Sequence, residues 1–267
     1  MRKTFVIITE GFTDSALVES VLEHCLKYKR YQNTSELSDL LRGMIGKYPG
    51  TLGELQRSDS PVFLHNGEKE IDVAVKVAKG IEKIPVAIEG IYESAFVNGR
   101  LGEFSGFILF TDSDAHTEDE ILHMFIKEFE KKDMIFHPES NSLVIENKSF
   151  SCPVYRLPVK KQGAVESVLL DCTKVVYPEL YDAAGQFKDA MFKEQFESIR
   201  RKWAKTPEIQ KFYGDKVHFG AIATVLKPDR PVGYVVRDEL VNRKNIEKME
   251  GVEEFKGIVE FLGNELR

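Results

Sequence analysis

Two apolar, β-prone runs of this sequence each end abruptly in acidic residues. The residues that follow them are Glu10, Gly11 and Asp14 for the first run, and Asp112 and Asp114 for the second. Such an ending is typical of a buried parallel strand that reaches a functional edge of a sheet. Carboxylates gathered there would repel one another strongly unless a cation lay between them. Mg²⁺ is the hard cation that this set of oxygen ligands favours.

Asp112 and Asp114 are two residues apart, and alternate residues of an extended segment share a face. We therefore expect both carboxylates to project to the same side and to grip one metal ion, directly or through water. Asp14 lies where a predicted helix begins, so its carboxylate has a second role open to it, the capping of backbone N–H groups. Capping and metal binding both remain open for Asp14.

These motifs resemble the Toprim domain, the metal-binding catalytic fold of topoisomerases, bacterial primases and several nucleases. In that family a glutamate, usually followed by glycine, closes the first strand, and a later strand ends in Asp-x-Asp. A third match is Gly-x-x-Glu-x-x-Leu, which begins at Gly163, contains Glu166 and follows a leucine-proline segment. It is similar to small stand-alone Toprim-like proteins related to the nucleases of the overcoming-lysogenization-defect family. The resemblance covers roughly residues 1–30, 60–80 and 105–172.

The resemblance implies a role for each matching carboxylate. Glu10 would be the general acid or base, or a bridge to a second metal. Asp112 and Asp114 would hold the first ion, and Asp14 or Glu166 would complete a second position. The implied metal ligands are Glu10, Asp14, Asp112, Asp114 and Glu166.

Three further residues belong to the expected site. Gly11 and Gly163 are the glycines of the two motifs and are expected to form backbone around the bound cofactor. Lys216 lies at the start of a predicted helix in the C-terminal third, and we expect it to neutralise developing negative charge as a catalytic residue. No serine, tyrosine or cysteine nucleophile is indicated by the sequence.

Phosphodiester cleavage passes through a highly charged phosphoryl group, which Mg²⁺ stabilises while lowering the pKa of a bound water. The first interpretation is therefore a Mg²⁺-dependent, nuclease-like or related phosphotransfer enzyme that acts on nucleic acid, with Mn²⁺ as a substitute. The alternative is a non-catalytic Toprim-like module that binds a metal and a nucleotide or nucleic acid in a repair or defence complex. In a third interpretation the acids only cap helices and no metal binds.

The composition is that of an ordinary globular protein: 267 residues, 42% hydrophobic and 30% charged. Its net charge of −6 favours the binding module over a non-specific nucleic-acid enzyme. Three cysteines without metal-ligand spacing are expected to be reduced thiols. No apolar run approaches membrane-spanning length. We expect a cytoplasmic protein without a membrane partner, and leave a protein partner open.

Three short segments mix cations with aromatic residues or with one another: residues 27–31, 160–161 and 200–203. Interleaved aromatic and basic side chains are typical of surfaces that follow a nucleic-acid backbone and stack on bases. The alternative is that they are solvated helix ends, where cations are favourable.

We predict an α/β, Rossmann-like Toprim fold with a mostly parallel central sheet flanked by helices. Residues 1–175 would form the Toprim-like domain, and residues 176–267 a helical extension packed on it. A strand at 61–64 is expected to lead into a helix over 69–79. An inserted β-hairpin over roughly 84–97, within an insertion of about 81–103, would precede the Asp-x-Asp strand and hold Glu89 as a reserve acid.

Overall fold

The computed structural model describes residues 2–45, 61–193, 196–200, 202 and 207–267. Its strands are β1 (Lys3–Thr9), β2 (Lys29–Arg30), β3 (Val62–Asn66), β4 (Ile71–Val77), β5 (Phe104–Asp112), β6 (Met134–His137), β7 (Ser142–Ile145), β8 (Lys148–Ser151) and β9 (Val154–Leu157). The first six described helices are α1 (Phe12–His24), α2 (Asp39–Gly43), α3 (Ile84–Val97), α4 (Glu118–Glu130), α5 (Val165–Val176) and α6 (Pro178–Met191). They are followed by α7 (Glu197–Arg200), α8 (Pro207–Leu226), α9 (Val232–Val235), α10 (Ile246–Met249) and α11 (Glu253–Glu265).

The described strands form one mixed sheet in the order β2-β3-β4-β1-β5-β8-β7-β6, with β9 pairing with the far end of β5. Strands β4, β1, β5 and β9 run parallel to one another and form the centre. Both edges are antiparallel. The predicted Rossmann-like α/β class with a parallel centre is confirmed. The parallel centre brings the C-terminal ends of β1 and β5 to the same edge of the sheet.

Alternation along β1 places core side chains on both faces of the sheet. Phe5 and Ile7 belong to the cluster under α1, α5, α8 and α11, whereas Val6 and Ile8 belong to the cluster under α2, α3 and α4. Each face is therefore covered by helices, as a parallel sheet requires. Full burial of each of these side chains contributes about 1.5–3 kcal/mol.

The segment predicted as a helix over 69–79 is instead β4, so that prediction is wrong. Ile71, Val73 and Val75 alternate with polar or small residues and are all buried in the same cluster. This period of two, with β-branched residues, is a strand pattern. Because β3 and β4 form an antiparallel hairpin, His65 near the end of β3 lies at the edge opposite to Glu10.

The predicted β-hairpin over 84–97 is also wrong, because this segment is the single helix α3. Its buried residues recur at helical spacing, at Ile84, Ile88, Ile91 and Ala95. Pro85 in the first turn fits a helix start, where no N–H partner is needed. The helix connects β4 to β5 across β1. Glu89 consequently lies on a helix rather than at a strand end, and pairs with Lys132 at 2.8 Å.

Beyond Val176 the described chain is helical, and its apolar side chains join the cluster that also contains Leu17 of α1 and Val168 of α5. A Cβ atom on Gly233 would collide with the ring of Phe12, so α9 packs on α1 as closely as glycine permits. The boundary at residue 175 stays a prediction. None of the described helices has the length and apolar content needed to cross a membrane.

Candidate functional site

The ends of β1 and β5 lie side by side. Thr9 is in register with Phe110, and the backbone N–H of Glu10 donates to the Phe110 carbonyl at 3.1 Å. Glu10 therefore follows its strand at the position where Asp112 ends the neighbouring one. The structure brings the two strand-end carboxylates to one edge, as the parallel arrangement predicts.

Glu10 is held against the end of β5 by hydrogen bonds to one oxygen. Its Oε2 accepts from the Thr111 hydroxyl at 2.8 Å and from the Asp112 backbone N–H at 3.4 Å. The side chain is only partly buried. Thr111 was missed by sequence analysis, although its place directly before Asp112 was a usable signal.

Asp14 lies in the first turn of α1 and is buried. Its Oδ2 accepts the Gly11 backbone N–H at 2.7 Å, while its Oδ1 is buried without a hydrogen-bond partner. Burial, together with the charges of Glu166 and Glu10, raises the pKa of Asp14 to about 7, although the Gly11 hydrogen bond acts in the opposite direction. Asp14 therefore caps the helix with one oxygen and leaves the other oxygen for a different partner.

Gly11 makes this approach of Asp14 sterically feasible. A Cβ atom at position 11 would lie only 2.7 Å from Asp14 Oδ2. Gly163 has a similar packing role, because a Cβ there would lie 2.6 Å from the Ser167 hydroxyl. The lack of a side chain at both positions thus allows close contacts around the carboxylates. This packing role explains the two glycines without direct contact to a cofactor.

Asp112 connects the end of β5 to the beginning of α5. Its Oδ1 accepts the backbone N–H of Val165, the first residue of α5, at 2.8 Å. Burial raises the pKa of Asp112 well above its usual value, and the negative charges of Asp14 and Glu166 add to the effect. The ionised form of this group is therefore costly in the absence of a compensating cation.

The expectation that Asp112 and Asp114 share a face of an extended segment is wrong. The strand ends at Asp112, and Asp114 adopts a left-handed conformation with φ 44°. The Ser113 hydroxyl donates to the Pro158 carbonyl, and the Asp114 N–H donates to the Gly163 carbonyl at 2.5 Å. The chain therefore turns at these residues. Asp114 still lies close enough for its charge to raise the pKa of Glu166.

Glu166 is in the first turn of α5, at the same edge. Burial raises its pKa, Lys216 lowers it, and the charges of Asp215 and Asp114 raise it. Its Oε2 is buried and has no hydrogen-bond partner. Glu166 and Asp14 thus each present one unpartnered oxygen among like charges.

Lys216 approaches these carboxylates from α8. Burial acts to lower its pKa, but the charges of Glu166, Asp112 and Asp114 hold that pKa above the usual value. A 2.6 Å hydrogen bond from the Ser167 hydroxyl to Asp215 joins α5 to α8 next to this lysine. Asp215 and Ser167 were not among the predicted site residues: Ser167 occupies an unspecified position of the Gly-x-x-Glu-x-x-Leu motif, and Asp215 lies outside the motifs.

The structure thus gathers the predicted site residues at one edge, but it does not arrange them as a formed metal site. Among the described residues, no group of three or more His, Cys, Asp or Glu side chains has the spacing that would hold a metal ion. Among the described carboxylates of this edge, Asp14 Oδ1 and Glu166 Oε2 are buried oxygens without a hydrogen-bond partner. The donor set is chemically suited to a hard cation, and Glu10 and Asp112 each use only one carboxylate oxygen in the hydrogen bonds described above.

The basic segment at residues 27–31 is not a base-stacking surface. Tyr28 and Tyr31 are buried, and the Tyr31 hydroxyl donates to Asp72. Arg30 forms ion pairs with Glu19 and Glu23, both at 2.7 Å. The alternative of solvated side chains describes Lys27 and Lys29, which are exposed, whereas Tyr28, Arg30 and Tyr31 form part of the folded interior.

The second basic segment, residues 160–161, gives less to a nucleic-acid surface than the sequence indicated. Lys160 pairs with Glu253 at 2.6 Å, and Lys161 pairs with Asp171 at 3.0 Å. Most of the third segment, residues 200–203, lies outside the described side chains.

No protein-family model and no curated protein matches this sequence. A crystal structure of a hypothetical protein from Pyrococcus horikoshii OT3 is similar in overall shape, with a TM-score of 0.47 and 16% sequence identity. The match covers 98% of this chain and 100% of that protein.

Proposed function

We propose that this protein is a Mg²⁺-dependent, Toprim-like enzyme that cleaves phosphodiester bonds of nucleic acid. The observation that carries the proposal is the gathering of Asp14, Asp112 and Glu166, whose pKa values are all raised by burial at one edge of the sheet. Two buried carboxylate oxygens without partners accompany them.

Buried like charges are costly, and a protein has two ways to reduce that cost. The groups can take up protons, as the raised pKa of Asp14 indicates, or they can share a cation. Lys216 supplies one positive charge, against the negative charges of Asp14, Asp112, Asp114 and Glu166. A divalent cation would offset much of the remaining repulsion, which is why we favour a metal over a purely proton-based balance.

The residues divide into ligands and groups that act on substrate. Asp14 Oδ1, Glu166 Oε2 and the carboxylate of Asp112 would hold Mg²⁺, which when bound supplies Lewis-acid stabilisation of phosphoryl oxygens and a more acidic water. Glu10, partly exposed and positioned by Thr111, would accept or donate the proton at the reacting oxygen. Lys216 would stabilise negative charge that develops on the phosphoryl group.

A cleavage assay tests this proposal. Labelled single- and double-stranded DNA and RNA are incubated with the protein and Mg²⁺, with EDTA in parallel. We expect cleavage that EDTA abolishes and that Glu10→Gln and Asp112→Asn each reduce by roughly 10²-fold or more. Asp189→Asn, an exposed aspartate on α6, is the matched control and should cleave as wild type does. Cleavage by wild type and Asp112→Asn at equal rates would contradict the proposal.

The second candidate is a metal- and nucleic-acid-binding module without catalysis. The net charge of −6 favours it over a non-specific nucleic-acid enzyme. Binding of Mn²⁺ and of an oligonucleotide by a protein that leaves every tested substrate intact would decide for this module.

A further inference from the structure

A groove beside the carboxylate edge contains cations that are not used in ion pairs. It encloses about 420 Å³ and lies between the end of β4 and helix α3. The side chains that give it its character are two cations and four apolar groups: Lys76, Lys83, Met44, Val86, Ala87 and Ile91. Val86 is 47% exposed, so part of this apolar surface is open to an occupant.

The lysines of this groove differ from those in the basic segments described above. Within the described residues, no carboxylate lies within ion-pair distance of Lys76 or Lys83, although the protein as a whole is acidic. Lys76 is half-buried, and burial lowers its pKa without an opposing charge. A half-buried ammonium without a partner is unfavourable, and an anionic ligand would compensate it.

The chain that follows β4 contributes Ala78 to the groove and is hydrogen-bonded to the backbone of Thr9 and Glu10. The pairing of β4 with β1 continues past both strands, because the Ala78 N–H donates to the Thr9 carbonyl at 2.9 Å. The N–H groups of Lys79 and Gly80 then both donate to the Glu10 carbonyl, at 3.0 and 3.2 Å. Lys79 makes this turn in a left-handed conformation, with φ 70°. A ligand in the groove is therefore next to the backbone of Glu10.

We propose that this groove binds a nucleotide unit of single-stranded nucleic acid, with its phosphate on Lys76 and Lys83 and its base against the apolar side chains of α3. Phosphates and accessible bases alternate along a single strand, and this alternation matches a groove in which cationic side chains lie beside apolar ones. A duplex keeps its bases stacked inside and would not fill the apolar part. This inference rests on the proposed function, because it gives a binding place to the nucleic-acid strand that would be cleaved at the Glu10 edge.

Fluorescence anisotropy with a labelled short oligothymidylate tests the groove, with Ca²⁺ in place of Mg²⁺ to avoid turnover. We expect the double variant Lys76→Gln/Lys83→Gln to bind roughly tenfold more weakly than wild type. The magnitude of the slope of log K against log salt should fall by about 0.7, because the double variant loses its contact with one phosphate and each such contact contributes about 0.7 on a single strand. Lys148→Gln changes an exposed lysine on β8, is the control for the loss of a surface charge outside the groove, and should bind as wild type does.

Four results would overturn the inference: wild type that does not bind the oligonucleotide, a double variant that binds as wild type does, equal losses in the double variant and Lys148→Gln, or free thymidine monophosphate that binds as tightly as the strand. Lys83→Gln alone changes an exposed residue, so it covers the case in which the double variant fails to fold. Mn²⁺ binding, measured on the same samples, separates this question from the metal site. Oligonucleotide binding through the groove without cleavage would support the groove as a binding site and contradict the proposed cleavage activity.

Discussion

The Asp112 carboxylate accepts a hydrogen bond from the backbone N–H of Val165 at 2.8 Å, so the residue that ends β5 also caps the helix that carries Glu166. One side chain thus links two elements whose carboxylates interact, since the charge of Glu166 contributes to the raised pKa of Asp112. One substitution can therefore remove the charge of Asp112 and keep its hydrogen bond to Val165, and another can remove both.

Asp112→Asn should fold as stably as wild type or better, because the amide oxygen can still accept the Val165 N–H while one buried negative charge is removed. Asp112→Ala also removes the charge but loses the cap, and should be about 1 kcal/mol less stable than the asparagine variant. Urea denaturation of both variants at one neutral pH measures the difference. Equal stabilities would show that the hydrogen bond to Val165 does not contribute.

Stability without metal should depend on pH through Asp14. Its pKa is about 7 in the folded protein, against about 3.9 in an unfolded chain. Folding therefore favours the protonated form of Asp14. The resulting contribution to the free energy of unfolding is complete below about pH 4 and is lost as the pH rises through about 7. It amounts to up to about 1.4 kcal/mol for each unit of difference between the two pKa values.

Asp14→Asn removes this contribution to the pH dependence. In EDTA, the stability of the variant relative to wild type should therefore increase from about pH 4 to about pH 7 and then level off. Thermal or urea unfolding across this range provides the measurement. A constant difference between the two proteins would mean that Asp14 is not perturbed as the structure indicates.

Glu19 ties the C-terminal helices to α1. Its buried carboxylate accepts from Ser15, Arg30 and Arg237, at 2.6, 2.7 and 3.1 Å. Glu19→Gln leaves the buried guanidinium groups with less negative charge, so we expect a loss of about 3–5 kcal/mol. The control is Glu260→Gln, which removes an exposed pair with Lys256 and should change stability by less than about 0.5 kcal/mol. Similar small effects for both would contradict the structural role of Glu19.

The strand ends were predictable because their signals are local. Glu10 and Asp112 follow apolar runs, and the parallel pairing of β1 and β5 places them together. The position of Asp114 was not predictable from alternation, because the backbone turns at a residue with positive φ. The conformation depends on contacts with Pro158 and Gly163, which are distant in sequence.

The errors at β4 and α3 have a different origin, since both patterns were present in the sequence. Ile71, Val73 and Val75 alternate with period two, whereas Ile84, Ile88 and Ile91 recur at helical spacing. The second segment also contains Glu89-Gly90, which has the same sequence as Glu10-Gly11 at the end of β1 but lies within a helix. The periodicity of buried side chains is the stronger signal, because it reflects the area that each conformation can bury.

The basic segment at residues 27–31 shows what charge patterns alone cannot tell. Arg30 is drawn into the interior by Glu19 and Glu23, and such pairing depends on how helix α1 and strand β2 meet. Lys76, in contrast, is isolated in sequence and faces a groove. Which lysines are available to a ligand is thus decided by tertiary packing.

Titration of Mn²⁺, followed by its paramagnetic resonance signal, tests the metal site most directly. The account predicts stoichiometric binding by wild type, binding at least roughly tenfold weaker by Asp112→Asn, and unchanged binding by Asp189→Asn. Equal weak binding by all three proteins would contradict the metal site and leave the carboxylates of this edge as helix caps.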